Sequence, residues 1–394
     1  MRVFLYYILP ALFVLPACKT NPSKNSTFET DPARAFFLED ARGIDATSKA
    51  RYAEKFSIGK RGEFSLITVH APWQRASDAT FSYLTGKSSA NIADSLSGYR
   101  FIRTPVERAV IMSVTFISFL DTLGALQTVH GISGGSNIYH PGLEQRFQSG
   151  DTREVGFDQS LNYEVLVDLQ PDVVFMFGVQ SGILQTIKKL EEIGISVVIC
   201  ADYLEPHPLG RSEWLKFFAQ FYEKEPLADS IFSGIAGRYN RLIREIAVQP
   251  GDPRVLLGLP WKDAWYVAGG KSFAAKLISD AGGRYIFEDE NHAEARPKGI
   301  ERVFMRGLDA DIWINPGVAT SLDVILDHDR RFGKLQAFQQ RQVFNHTKRM
   351  NGSGGNDYWE TGVLRPDLVL EDLAAIFRDP QVNSSELFFY ERLK

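Results

Sequence analysis

The chain has 394 residues, 44% hydrophobic and 23% charged, an ordinary balance for a soluble globular protein and enough length for two hydrophobic cores. Its 44 Lys and Arg against 48 Asp and Glu leave a formal charge of −4, which offers no basic field to a nucleic-acid backbone. With two cysteines in all, no disulfide framework can be built.

The opening "MRVFLYYILPALFVLPAC" carries one basic residue and an apolar run from Val3 to Pro16. That run is too short to span a bilayer and fits the core of a signal peptide. Leu15-Pro16-Ala17-Cys18 resembles a bacterial lipobox, in which the cysteine is lipidated and becomes the first residue; a plain secretory signal cleaved nearby is the alternative. Several acyl chains on Cys18 would give a durable anchor. "KTNPSKNSTFETDPAR" is polar and without pattern, as expected of a tether. Cys200 ends the apolar run "ISVVIC" and reads as an inert strand residue.

From about Arg51 the pattern turns globular. "FSLITVHAPW" and "ATFSYLTG" read as an opening pair of strands, "RAVIMS" as a strand, and "VTFISFLDTLGAL" as a helix closed by Gly124. "VHGISG" is a strand running into the loop "GISGGSNIYHPG". In "LNYEVLVDLQPDVVFMF", Leu161, Val165, Leu166 and Leu169 share one helical arc, and the apolar run after Pro171-Asp172 is a strand covered on both faces. Glu164 points about 130° away from that arc, towards water. A helix "SGILQTIKKLEEIG" and a strand "ISVVICAD" complete a β/α alternation, which indicates a parallel sheet flanked by helices.

Two helices occupy the middle. The second opens at Pro226, repeats Leu227, Ile231, Ile235, Tyr239, Leu242, Ile243 and Ile246 at helical spacing, and stops at "QPGDP". The alternation then restarts with "RVLLGLPW", "WYVAGG", "KSFAAKLISDAGG", "RYIFED", "GIERVFMRGLDA" and "DIWINPG". "QVFNH" and the helix "DLVLEDLAAIFRD" follow. The expected fold class is α/β: two Rossmann-like lobes with parallel sheets joined by a single long helix. The expected segments are 1–18 signal peptide, 19–50 tether, 51–225 N-terminal lobe, 226–249 linker helix and 250–394 C-terminal lobe.

This organisation resembles the bacterial substrate-binding proteins (class III periplasmic binding proteins) that serve ABC importers of iron-siderophores, haem and cobalamin. The resemblance rests on "PVERAVIMSVTFISFLDTLGALQTVHGISG" and "LNYEVLVDLQPDVVFMF" in the first lobe. In the second it rests on "WYVAGGKSFAAKLISDAGGRYIFED" and "IERVFMRGLDADIWI". It covers nearly all of the mature chain, and the closing "GGNDYWETGVLRPDLVLEDLAAIF" is similar to the version in lipid-anchored iron-complex binders. The resemblance implies a monomeric, periplasm-facing lipoprotein without a cofactor of its own. Its partners would be a metal chelate and the permease and ATPase subunits of an importer. It also implies that exposed glutamates, here Glu164 and Glu301, dock on arginines of the permease.

In such proteins the ligand lies between the lobes, at loops following the carboxyl ends of the strands. That rule selects Tyr139 and His140 in the glycine-rich loop, and Trp261, Trp265 and Tyr266 around the polar turn Lys262-Asp263. It also selects His292 in "FEDENHAEARPKG", Arg349 and Trp359 in "NHTKRMNGSGGNDYW", and His70 and Trp73 in "VHAPW". Arg284 and Arg349 could pair with an anionic chelate. His70, His140 and His292 form no closely spaced metal-ligand motif. The leading expectation is a receptor for a ferric siderophore-type chelate, with cobalamin or haem as the alternative ligand. A cleft enzyme, chelatase or hydrolase, lacks support: the chain contains no G-x-S-x-G and no G-x-x-x-x-G-K-[ST].

Overall fold

The computed structural model describes residues 45–394, apart from 75, 77–78, 91, 93–95, 158–159 and 180–181. Cys18, the signal segment and nearly all of the tether lie outside the described residues.

The chain enters as a five-stranded sheet where the sequence suggests a pair of strands. Asp45–Lys49, Phe56–Arg61, Phe64–His70 and Thr80–Gly86 pair antiparallel in chain order, and Arg100–Arg103 adds in parallel. Phe56–Arg61 and Arg100–Arg103 are short and half-exposed, so they give little apolar signal. Trp73 and Phe81 of this region turn inward against a core that includes Val174, Met176 and Ile199.

A five-stranded sheet, all its pairs parallel, follows: Ala109–Ile111, Val129–Ile132, Arg153–Glu154, Val173–Met176 and Val197–Ile199. Numbered within the sheet, their order is 3-2-1-4-5, the doubly wound arrangement. Val173–Met176 is wholly buried, as a central strand with helices on both faces must be. The outer edge at Val197–Ile199 is closed by the entering sheet, where the Ile199 N–H donates to Tyr83 Oη at 2.9 Å.

Helix Pro208–Ala219 then leads to the long helix Glu225–Val248, which at 1.5 Å per residue runs about 36 Å. The long helix is tied to both sides of the molecule. Tyr239 Oη donates to Asp280 at 2.7 Å, Asn240 donates to Tyr52 Oη at 2.9 Å, and Arg238 pairs with the buried Asp367.

The second parallel-based sheet orders Arg284–Tyr285, Arg254–Leu257, Ile312–Ile314, Val343–Asn345 and Glu391–Arg392, a 2-1-3-4-5 arrangement whose last strand is antiparallel. Trp265–Ala268 does not join it. It pairs instead with Ala295–Lys298 in a separate two-stranded ribbon, although the second of these segments reads as loop in the sequence. The architecture is thus α/β, two parallel-based sheets linked through one helix. Among the described residues no helix is long and apolar enough to cross a membrane.

Candidate functional site

Both sheets present the carboxyl ends of their strands to one cleft of about 540 Å³. On one side stand Val114 and Thr115, which follow the strand Ala109–Ile111, and Asn137, from the loop after Val129–Ile132. On the other stand Asn315 and Val318, after Ile312–Ile314, and His346 and Thr347, after Val343–Asn345. Met350 and Trp359 complete that wall. The volume lies in the range that holds a small molecule, and the site sits where open α/β sheets bind ligands.

Local chemistry explains how these side chains are held. Ser113 caps the first turn by accepting the Thr115 N–H at 3.2 Å. Asn315 lies in left-handed backbone at φ 53°, a conformation that asparagine tolerates better than other side-chain-bearing residues. The Asn345 amide donates to Gly317 O and Ala319 O, fixing the loop on which Val318 stands exposed. His346 is buried. Its ring stacks on Tyr358, with centroids 4.1 Å apart and planes at 8°, and meets Trp359 edge-on at 5.3 Å. Burial pushes the His346 imidazole down to about 4.

One flank of the cleft is closed by the segment 349–360 lying on the glycine-rich loop of the first lobe. The Glu360 carboxyl accepts the Tyr139 and His140 backbone N–H groups, Asn351 donates to Ile138 O at 2.8 Å, and Ser353 donates to Glu144 at 2.8 Å. Gly355 is required there, because a Cβ would meet Ile138 O at 2.2 Å. Burial, aided by the nearby Asp357 and Asp121 carboxyls, outweighs the two N–H donors and raises the Glu360 carboxyl to about 8. Behind this clasp, a second cavity of about 390 Å³ reaches Ile231 and Ile235 of the long helix; Tyr139, His140 and Arg349 line it.

The residues selected from the sequence divide sharply. Trp359 stands on the cleft wall, 45% exposed. Tyr139 and Arg349 lie beside it in the rear cavity. There the Arg349 guanidinium pairs with the buried Asp357 and sits over the Phe388 ring at 4.5 Å and the Tyr139 ring at 5.5 Å.

Trp265 must be corrected from cleft wall to core. It is fully buried between Trp313 and Phe332, with Nε1 donating to Leu257 O at 3.0 Å. The charged pair Lys262-Asp263 that suggested a cleft marks a tight turn instead, with Lys262 at φ 54°. Trp261 and Tyr266 are exposed on that turn and on the ribbon strand that follows it, and do not line the cleft. Trp73 is likewise a core residue. Arg284 pairs with Asp252 at 2.8 Å and is in register with Arg254, the first residue of its strand. It therefore sits at the amino ends of the strands, away from the ligand side. The His292 ring is held between Glu294 O and the Glu290 carboxylate, also outside the cleft. Asn137, Asn315, His346 and Thr115 were not selected; the carboxyl-end rule applied strictly to "DIWINPG" and "QVFNH" would have named Asn315 and His346.

Glu164 and Glu301 each stand exposed in the first turn of a helix, Tyr163–Leu169 and Ile300–Gly307. Each helix immediately precedes the strand that neighbours strand 1 of its own sheet, in one case Val173–Met176 and in the other Ile312–Ile314. The two glutamates are therefore topological equivalents at the cleft-bearing end of the sheets. Glu301 lies 3.5 Å from Arg331 in an exposed pair.

Residues 114–350 match the family model described as periplasmic binding protein. That is more than half of the chain, from the first cleft residue of one wall to Met350 of the other, and the chain belongs to this family. Among its relatives is the uncharacterized lipoprotein MJ0878 of Methanocaldococcus jannaschii, 28% identical over 301 residues covering 74% of this chain and 70% of that one. A second lipoprotein of the same organism, MJ0872, is 28% identical over 306 residues, 75% of each chain. Among solved structures, a periplasmic heme-binding protein of Pseudomonas aeruginosa superimposes with a TM-score of 0.53 at 18% identity, covering 71% of this chain and 94% of that one. A possible iron-binding (periplasmic solute-binding) protein of Staphylococcus epidermidis gives 0.52 at 18% identity, with 69% and 98% covered. At these identities the structural similarity establishes the fold.

Proposed function

We propose that this protein is the extracytoplasmic receptor of an ABC importer, and that it captures a ferric siderophore-type chelate in the cleft and hands it to the permease. The observation that carries the reading is the cleft of about 540 Å³ walled by strand ends of both sheets, in a chain of the periplasmic binding protein family. The iron- and haem-related descriptions of the structural relatives point to a metal complex as cargo. Kinship to two lipoproteins supports lipid anchoring through Cys18. Glu164 and Glu301 would meet the permease: two charges set far apart on a rigid body fix orientation and docking rate more than affinity.

Haem is the second reading, favoured by the Pseudomonas relative. It meets an obstacle in the cleft, which has no cationic side chain among its described lining to receive carboxylates. Titration of the intrinsic fluorescence with ferric siderophores, haemin and cobalamin tests the proposal. Saturation at one ligand per chain, weakened in Trp359→Ala, is expected. Slow chemical conversion of the added complex would mark an enzyme instead.

A further inference from the structure

The protonation state of His346 is dictated by Asn356. The Asn356 Oδ1 accepts the Tyr358 N–H at 3.0 Å, so the amide nitrogen must face the histidine. There Nδ2 donates to His346 O at 3.0 Å and lies 3.2 Å from the ring Nδ1. An amide nitrogen can only donate, so Nδ1 must offer its lone pair and the ring proton resides on Nε2. Metal ions bind a ring nitrogen through a lone pair, and the one on this neutral ring is already taken. Stacking on Tyr358 and the edge contact with Trp359 prevent the ring from turning over.

The surroundings match that chemistry. The polar groups lining the cleft are hydroxyls, side-chain amides and this imidazole: Thr115, Asn137, Asn315, His346, Thr347 and Asn356. No charged side chain lines it among the described residues. Two arginines that line other cavities are committed elsewhere, Arg349 to Asp357 and Arg211 to the buried Asp202. A multiply charged complex entering here would lose its hydration without gaining a counter-charge.

We infer that His346 serves the cleft as a fixed Nε2–H donor and not as a metal ligand, and that the cargo is an electrically neutral metal complex bearing oxygen acceptors on its surface. The inference rests on the reading of the protein as a chelate receptor, and it selects uncharged complexes, such as ferric trihydroxamates, over anionic catecholates and haem. Trp359, Met350 and Val318 supply the apolar part of the same wall.

Two measurements test it. Nitrogen-15 correlation spectra of the ligand-free protein should show the His346 proton on Nε2; a proton on Nδ1 overturns the donor assignment whatever the ligand proves to be. Titrations would then compare a neutral ferric trihydroxamate, cyanocobalamin, a trianionic ferric tris-catecholate and haemin, each at low and high salt. Binding of a neutral complex with little salt dependence is expected. His346→Phe keeps the ring stack and removes the donor, and should weaken that binding about tenfold. Asn356→Asp, which draws the proton to Nδ1, should weaken it similarly. Preference for the anionic complexes, or an iron absorption band that disappears in His346→Phe, overturns the inference while leaving the receptor reading intact. Failure of all four complexes to bind overturns both the receptor reading and the ligand class.

Discussion

The carboxyl of Glu360 accepts the backbone N–H of Tyr139, a bond that crosses from the last third of the chain to the glycine-rich loop of the first lobe. Asn351 holds the same loop and Ser353 the helix that follows it, so one flank of the cleft is fastened. Glu360→Ala should loosen this flank, because it leaves two half-buried N–H groups without an acceptor, at up to about 1 kcal/mol each. Amide hydrogen exchange at Tyr139 and His140 would report it as lost protection.

Stability should depend on pH with two limbs of opposite sign. The Glu360 carboxyl is raised from 4.5 to about 8 in the folded protein and that of Glu205 from 4.5 to about 7. Their contributions are present in acid and are lost as pH rises through those values. His346 is lowered from 6.5 to about 4, so the unfolded chain takes up its proton first. Stability falls as pH drops from 6.5 towards 4, by a total on the order of 3 kcal/mol. The limbs overlap between about 4.5 and 6.5, where the two carboxyls outweigh the one imidazole, so melting temperatures should peak near pH 4.5 and fall towards pH 8. Glu360→Gln should flatten the alkaline limb and His346→Phe the acid one.

Trp265 and Trp359 make a matched pair of tests, since one lies in the core and the other on the cleft wall. Trp265→Ala should cost about 3–5 kcal/mol of stability, as for a large buried aromatic. Trp359→Ala should change stability little but cost about 2 kcal/mol of ligand affinity. Chemical denaturation and ligand titration of the two variants separate these effects. A stable Trp265→Ala protein with impaired binding would return that residue to the cleft.

Reversal of charge at Glu164 and Glu301 should leave ligand affinity unchanged and abolish stimulation of the importer's ATPase. The Arg331 pair of Glu301 is exposed and contributes little to folding, so the double lysine variant should fold. Vesicle-reconstituted importer would provide the readout, and normal stimulation by the variant would remove the docking assignment.

Much of the architecture was legible because parallel strands buried on both faces leave continuous apolar runs, as at Val173–Met176, and a long helix leaves a sustained period, as at Glu225–Val248. The site was harder to read. Trp261, Trp265 and Tyr266 are close in sequence, but the turn and ribbon point them in different directions, one into the core and two to solvent. A strand's alternation sends Trp265 and Tyr266 to opposite faces, and that signal was present in the spacing. The histidine that does line the cleft, His346, stands one residue beyond the strand Val343–Asn345, and its role depends on Asn356, ten positions on. Nothing in local sequence predicts that pairing. Arg284 was misplaced because its strand is only two residues long, so the amino and carboxyl ends of "RYIFED" could not be told apart without the sheet register.

The central claim, that one metal complex is held intact between the two sheets, is tested most directly by native mass spectrometry of the protein loaded with a neutral ferric trihydroxamate. The account predicts one intact complex per chain in the wild type and markedly reduced retention in Trp359→Ala. A chelate that is retained equally by the variant, or that emerges chemically altered from the wild type, would contradict it.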